Sequence, residues 1–251
     1  GGFAGLYAAL ELDRLVGHDR SLEILVIDRN NYFLFPPLLP SAAAGTIETR
    51  QVTFPFRRIF ETTNIVFRRA TVERIDPDRR VIDAIVDREG AARGVEIEYD
   101  YLLLCPGSVT NTFRTPGAAE HALFMRELGD AIAARDQIID CFERAAATPE
   151  EDLRAQLLRF VIVGAGPTGL ELATEIHDLV YDVLLKRYPE IDRRLVDIVL
   201  VQSGGQILPG WDERVVRTAA AHLATLRVRL VLDARVSAVG RDHVADRKSV
   251  V

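Results

Sequence analysis

The sequence predicts an α/β fold with two parallel-sheet units, on three observations. A complete glycine-rich turn lies between a strand and a helix over residues 159–185. A remnant of the same device opens the chain as GGFAG. The middle of the chain reads as a β-rich insertion that returns through an apolar run to another glycine turn, CPGS.

The complete turn is the strongest signal. Arg159–Val163 is a short apolar, β-branched run and reads as a buried strand. GAGPTG then places Gly164, Gly166 and Gly169 at the G-x-G-x-x-G spacing. Residues 170–185 read as a helix, with Leu170, Ala173, Ile176 and Val180 on one stripe. Gly164 permits the tight turn, Gly166 lets a pyrophosphate approach the backbone, and Gly169 lets helix and strand pack closely. The free N–H groups and the positive end of the helix then face the phosphates. The string alone is a weak signal; its place between strand and helix strengthens it against a ligand-free tight turn.

At the first turn, Gly2 and Gly5 fit the second and third glycines of the same pattern, and Gly1 fills the variable position between the first two. A helix follows, with Leu6, Ala9, Leu10 and Leu15 roughly on one side, and then the strand 23–27. Asp28 ends that strand, followed by Arg29. An acid in that place binds ribose hydroxyls, the alternative being a turn former. Two such units make two Rossmann-like dinucleotide-binding domains, one suited to a bound flavin and the other to a visiting nicotinamide. In the second unit the strand 196–201 ends at Gln202 rather than an acid. An acid there repels a 2′-phosphate; Gln202 removes the repulsion and keeps a donor, so NADPH is expected to be tolerated better than by an acid-bearing relative.

Residues 64–67, 70–73, 81–82 and 95–99 read as a small antiparallel meander within the first domain, with a turn at 76–79 and a loop over 88–94. Tyr101–Leu104 reads as a buried strand ending at the Gly107 turn, the ligand side of such a sheet. Residues 119–147 read as one long helix crossing to the second domain, and 148–152 as a helix start. The domains divide as 1–113, flavin-binding, and 114–245, nicotinamide-binding. Residues 246–251 resemble a translated sequencing adapter and are set apart from the fold. The chain opens without the strand that would feed its first turn, so both ends read as cut.

A hydrophobic fraction of 48% supports a real core, and the net charge of −6 with intermixed signs argues against nucleic acid. Cys105 and Cys141 match no metal or redox spacing and read as small buried residues. His18, His121, His177, His222 and His243 are scattered and build no metal site; Trp211 reads as packing at a loop.

The order GGFAG, VIDRNNYFLFPPLLPSAAAGTIE, YDYLLLCPGS and VIVGAGPTGLELATEI resembles the type II NADH dehydrogenases. DRNNYFLFPPLLP is the most specific of these segments. The resemblance implies a glutathione-reductase-like FAD/NAD(P)-binding fold and transfer of a hydride from NADH or NADPH to FAD and then of two electrons to a quinone, without proton pumping. It implies FAD held by Gly2, Gly5, Asp28 and the adjacent Arg29. Pro37 and its neighbours, the 44–46 turn and Gly107 would lie near the flavin ring. Gly164, Gly166, Gly169 and Gln202 would hold the nicotinamide nucleotide. Glu171 matches a family glutamate that orients the nicotinamide or relays protons, the alternative being an ordinary polar helix residue. The family's C-terminal membrane-docking helices are not in this sequence, and docking on the cytoplasmic side of the inner membrane and a homodimer are expectations for the longer protein. A sulfide:quinone reductase-like flavoprotein and a non-catalytic fragment are the competing readings. Residues 29–60 hold no cysteine for a dithiol route.

Overall fold

A computed structural model describes residues 1–17, 19, 21–88 and 91–246 of the chain. They form two compact units: Gly1–Phe35 with Arg50–Val109, and Pro36–Thr49 with the described part of Thr110–Val251.

In the first unit, helix α1 (Phe3–Val16) buries Leu6 and Ala9 and stops at Gly17, whose φ of +63° suits glycine. Leu15, expected beside Leu6, is 66% exposed. Nine residues are two and a half turns, so the two side chains leave opposite faces. Strand β1 (Ile24–Asp28) follows, then β2 (Tyr32–Leu34). The chain next departs through Pro36–Thr49, carrying α2 (Leu39–Ala43), which belongs to the second unit. On return, β3 (Thr53–Pro55) pairs antiparallel with β2, and the short α3 (Phe56–Ile59) buries Phe56 against Phe60 and Phe67, with ring centroids 5.7 and 4.8 Å away. Strand β4 (Ile65–Arg69) pairs in parallel with β1, Ile24 opposite Ile65 through Asp28 opposite Arg69. Residues 64–67, expected in the meander, therefore open the parallel sheet instead. Their apolar run, Ile65–Phe67, is only three residues long before Arg68 and Arg69, shorter than the run that marks a buried parallel strand.

The antiparallel meander is β5 (Thr71–Asp76), β6 (Val81–Arg88) and β7 (Ala91–Glu98). Asp76 Oδ1 accepts the Arg79 N–H at 3.0 Å and fixes the expected turn. The loop expected over 88–94 is mostly strand, since Arg88 pairs with Ala91 and Gly94 with Ile85. Cross-strand pairing satisfies the backbone groups of 91–94 despite side chains of low strand propensity. Residues 89 and 90 of that loop lie outside the described residues. Tyr101–Leu104, expected as a buried strand, belongs to no strand among the described residues, and Tyr101 is 96% exposed. An apolar run becomes a buried strand only when neighbours take its backbone hydrogen bonds.

In the second unit, residues 119–147 are two helices rather than one: α4 (Ala118–His121) and α5 (Leu128–Ala147). Glu127 and Asp130 form a reciprocal capping box, with the Glu127 N–H donating to Asp130 Oδ2 at 2.7 Å. That pair starts a fresh helix, although no glycine or proline breaks the sequence just before it. α6 (Glu151–Leu157) begins where expected. Strand β8 (Arg159–Val163) leads into α7 (Pro167–Asp178), which continues through the π-helical residues Leu179–Leu184 to α8 (Leu185–Arg187). Strand β9 (Asp197–Val201), helix α9 (Glu213–Thr225) and strand β10 (Arg229–Val231) complete a parallel sheet of order β10-β9-β8. β11 (Val236–Val239) and β12 (Val244–Asp246) form a hairpin. Asp246 belongs to that hairpin; residues 247–251 lie outside the described residues.

β9 is buried along most of its length, whereas β8, expected as a buried strand, buries only Ile162. Among the described residues β8 has a partner on one side alone. The core of this unit joins Phe142, Leu158, Ala173, Val180, Leu200 and Leu223, and the helical stripe expected on α7 faces it. At the opening end of the sheet Asp197 binds Arg159 at 3.0 Å and Arg229 at 2.7 Å. Burial would raise the Asp197 carboxyl, but the two guanidinium groups outweigh it and hold the group below its ordinary value. Cys105 and Cys141 are free and half-buried, less enclosed than expected. His121, His222 and His243 are exposed, His177 is half-buried, and His18 lies outside the described residues. No metal-binding group of side chains and no helix long and apolar enough to cross a membrane occurs among the described residues.

Candidate functional site

The glycine turn of the second unit is built by backbone approach. Gly164 sits at φ +104°, where an L side chain is strained. Its N–H donates to the Val201 carbonyl at 2.8 Å, which fastens the turn to the end of β9. The Ala165 carbonyl accepts the Leu208 N–H at 2.8 Å, and the Ala165 N–H donates to Gln202 Oε1 at 3.2 Å. Gln202 therefore stands at the end of β9 as expected, with its side chain turned toward the glycine loop.

Gly169 is held by packing. A Cβ there would stand 1.9 Å from the Gly164 carbonyl oxygen and 3.6 Å from Leu200 Cδ1. Helix and turn thus meet at a distance only glycine allows. Gly166 is the opposite case: it caps α7, and a Cβ on it would meet nothing within 4 Å. The side of the turn carrying Gly166 is open, and Pro167 follows at the first helical position, where its missing N–H costs nothing. The remaining orphan N–H groups of this twelve-residue helix and its dipole favour an anion at that opening.

One turn further, the exposed Glu171 borders a cavity of about 470 Å³. Pro37, Leu38, Leu170 and Leu223 give it apolar walls, and His222 adds a polar group. Pro37 and Glu171, far apart in sequence, are thus brought to one cavity within the second unit. Glu175, one turn beyond Glu171, was missed by sequence reading. Its carboxylate accepts Ser41 Oγ at 2.5 Å and Thr46 Oγ1 at 2.7 Å, pinning Pro36–Thr49 to α7. The only signal in the sequence was a second glutamate four residues after the first, which by itself means little.

In the first unit, Gly1 lies against Asp28: a Cβ on Gly1 would stand 2.3 Å from Asp28 Oδ2. The other Asp28 oxygen accepts the Asn30 N–H at 2.7 Å. Gly2 has open space around it, and a Cβ on Gly5 would touch Cys105 Cβ at 3.6 Å. The turn, the acid and Cys105 therefore converge. Arg29 is exposed, and its carbonyl accepts Arg69 Nε at 3.1 Å. Gly107 adopts φ +72°, open on its Cβ side.

The family profile described as pyridine nucleotide-disulphide oxidoreductase matches residues 1–251. The chain belongs to this family. It is 39% identical over 235 residues to the external alternative NAD(P)H-ubiquinone oxidoreductase B1, mitochondrial, of Solanum tuberosum, covering 91% of this chain and 40% of that protein. It is 32% identical over 226 residues to the external alternative NADH-ubiquinone oxidoreductase, mitochondrial, of Yarrowia lipolytica, covering 88% of this chain and 39% of that one. It spans about two fifths of the length of these curated relatives. Among solved structures, NDH2 from Plasmodium falciparum in complex with NADH matches with a TM-score of 0.88 at 23% identity, over 100% of this chain and 51% of that one. The sulfide:quinone oxidoreductase from Aquifex aeolicus matches with a TM-score of 0.74 at 22% identity, over 100% and 54%. Both share the fold, which bears out the α/β, two-nucleotide architecture expected from the sequence.

Membership of the pyridine nucleotide-disulphide oxidoreductase family does not by itself supply a dithiol here. Both cysteines are free, and none lies within residues 29–60.

Proposed function

We propose that this chain is the nucleotide-binding part of an NAD(P)H:quinone oxidoreductase that uses FAD. The carrying observation is the second glycine turn, closed by Gly169 on one side, open at Gly166 on the other, and followed one turn later by a carboxylate at a cavity. The relatives named as NAD(P)H- and NADH-ubiquinone oxidoreductases support the donor and acceptor.

The first turn fits FAD by its cradle. A Cβ at Gly1 would fill the space beside Asp28, while Gly2 leaves its face open. Gly2, Gly5, Asp28 and Arg29 would hold the pyrophosphate and ribose, and Gly107 would lie toward the ring. The chemistry a bound FAD supplies is acceptance of hydride from NAD(P)H and release of two electrons to a quinone. The protein's own part is positioning. Gly164, Gly166 and Gly169 seat the nicotinamide nucleotide's pyrophosphate on the amino end of α7, and Gln202 addresses its ribose. Glu171 orients the nicotinamide or carries a proton toward the acceptor. The apolar wall of its cavity, from Pro37, Leu38, Leu170 and Leu223, offers a flat ring a surface beside that carboxylate. A peripheral position at the inner membrane, on its cytoplasmic side, and a homodimer complete the proposal; the relatives' names carry the word mitochondrial.

The test is reduction of a short-chain quinone by NADH and by NADPH in the protein loaded with FAD. Turnover dependent on both nucleotide and FAD supports the reading. A protein that reduces quinone only with sulfide as donor would overturn it.

A further inference from the structure

The acid missing from the end of β9 has a neighbour that takes its place. β10 pairs in parallel with β9, Val231 opposite Val201, so the residues after the two strands run side by side. Three hydrogen bonds lace them: Gln202 N–H to Val231 O at 2.9 Å, Asp233 N–H to Gly204 O at 3.0 Å, and Ala234 N–H to Gln202 O at 3.0 Å. Asp233 adopts φ +51°, a left-handed conformation that aspartate tolerates. Its carboxylate lies over the turn that follows β9: a Cβ on Gly205 would stand 3.3 Å from Oδ1 and 3.5 Å from Oδ2. On the same turn, a Cβ on Gly204 would stand 3.7 Å from Gln202 Nε2, while Gln202 Oε1 is occupied by the Ala165 N–H. The turn of residues 203–205 is therefore flanked by a neutral amide donor and by an exposed carboxylate. No hydrogen bond or ion pair engages that carboxylate among the described residues.

Resting on the nucleotide-site reading above, we infer that Asp233 is the specificity-determining acid of the second nucleotide site, selecting NADH over NADPH. The end of the second strand is where a fold of this kind reads the adenosine ribose. A carboxylate within a few ångströms of that place accepts a ribose hydroxyl and repels a 2′-phosphate. Gln202, tied to the glycine loop through its oxygen, contributes only a donor and does not discriminate by charge. The tolerance for NADPH expected from Gln202 alone is thus withheld by the adjacent strand.

The chain's single tryptophan, Trp211, lies eight residues after the turn's start and gives the readout. Its emission is quenched by energy transfer when a reduced nicotinamide binds nearby, so dissociation constants for NADH and NADPH follow from titration of the chain itself. Asp233→Asn keeps the side-chain shape and the left-handed backbone. It is expected to raise NADPH affinity relative to NADH by about tenfold, the effect of removing one like charge at a partly solvated site. Adding Gln202→Glu to that variant is expected to restore preference for NADH. A relative affinity unchanged by Asp233→Asn overturns the inference, while leaving the nucleotide site in place. Quenching by neither nucleotide in the unaltered chain removes that site and this inference with it.

Discussion

Replacing Gly169 by alanine tests the geometry of the second glycine turn most directly. The new methyl would stand 1.9 Å from the Gly164 carbonyl oxygen, a backbone atom fixed by the neighbouring Gly164 N–H bond to Val201. Relief requires α7 to move away from the turn by about 1 Å, and Leu200 Cδ1 already lies 3.6 Å from the same point. Overpacking of a well-packed site costs about 1–3 kcal/mol, and more where rigid backbone must shift. Alanine returns about 1 kcal/mol through helix propensity, because Gly169 is helical. Because the clash is with rigid backbone, the upper end of that range applies and a net loss of about 2 kcal/mol is expected. With a urea dependence of about 2 kcal/mol per molar, the transition moves down by about 1 M. Trp211 fluorescence follows the unfolding of this unit. Gly166→Ala is the control: its Cβ meets nothing within 4 Å, so stability changes by less than about 1 kcal/mol, the size of a cap effect. It should nevertheless weaken nucleotide binding, because the methyl occupies the open side. An unchanged urea midpoint for Gly169→Ala, or a larger loss for Gly166→Ala than for Gly169→Ala, would refute the assignment of packing to one glycine and ligand approach to the other.

Three further outcomes follow from the same structure. Glu171→Gln is expected to lower quinone turnover about tenfold to a hundredfold with no shift in the urea midpoint, since the side chain is exposed; equal turnover would leave Glu171 an ordinary surface residue. Glu175→Gln weakens the bonds from Ser41 and Thr46 and should cost about 1–2 kcal/mol, with faster proteolysis within Pro36–Thr49 as the check. Asp197→Asn should remove about 1 kcal/mol, a value kept small because Arg159 and Arg229 are each more than a third exposed. The folded-state pKa of Asp197 is depressed, so its contribution is present above about pH 4 and fades as acid takes the pH through the lower folded value. Urea midpoints at pH 7 and at about pH 3 should therefore differ less in Asp197→Asn than in the parent; an equal loss on acidification in both would count against the clamp.

The sequence by itself determined the elements whose rules are local. The strand–glycine–helix unit at 159–185 was legible because strand and helix periods and three glycines at fixed spacing coincide within a short window. Asp28 and Gln202 were placed at their strand ends because Asp28 closes one strand and Gln202 directly follows the other. The tertiary structure decided what depends on partners distant in sequence. Tyr101–Leu104 has a strand's composition but no neighbour to pair with among the described residues, and composition cannot reveal a missing neighbour. Ile65–Arg69 joined the parallel sheet because β1 offered it an edge, a choice set by pairing rather than propensity. Glu175 gained its role from two hydroxyls about 130 residues earlier in the chain. Asp233 stood beside the Gln202 turn only because β10 lies in register with β9. Glycine spacing is written in the chain as a local steric requirement, whereas the charge facing a site is set by which strand lies next to it.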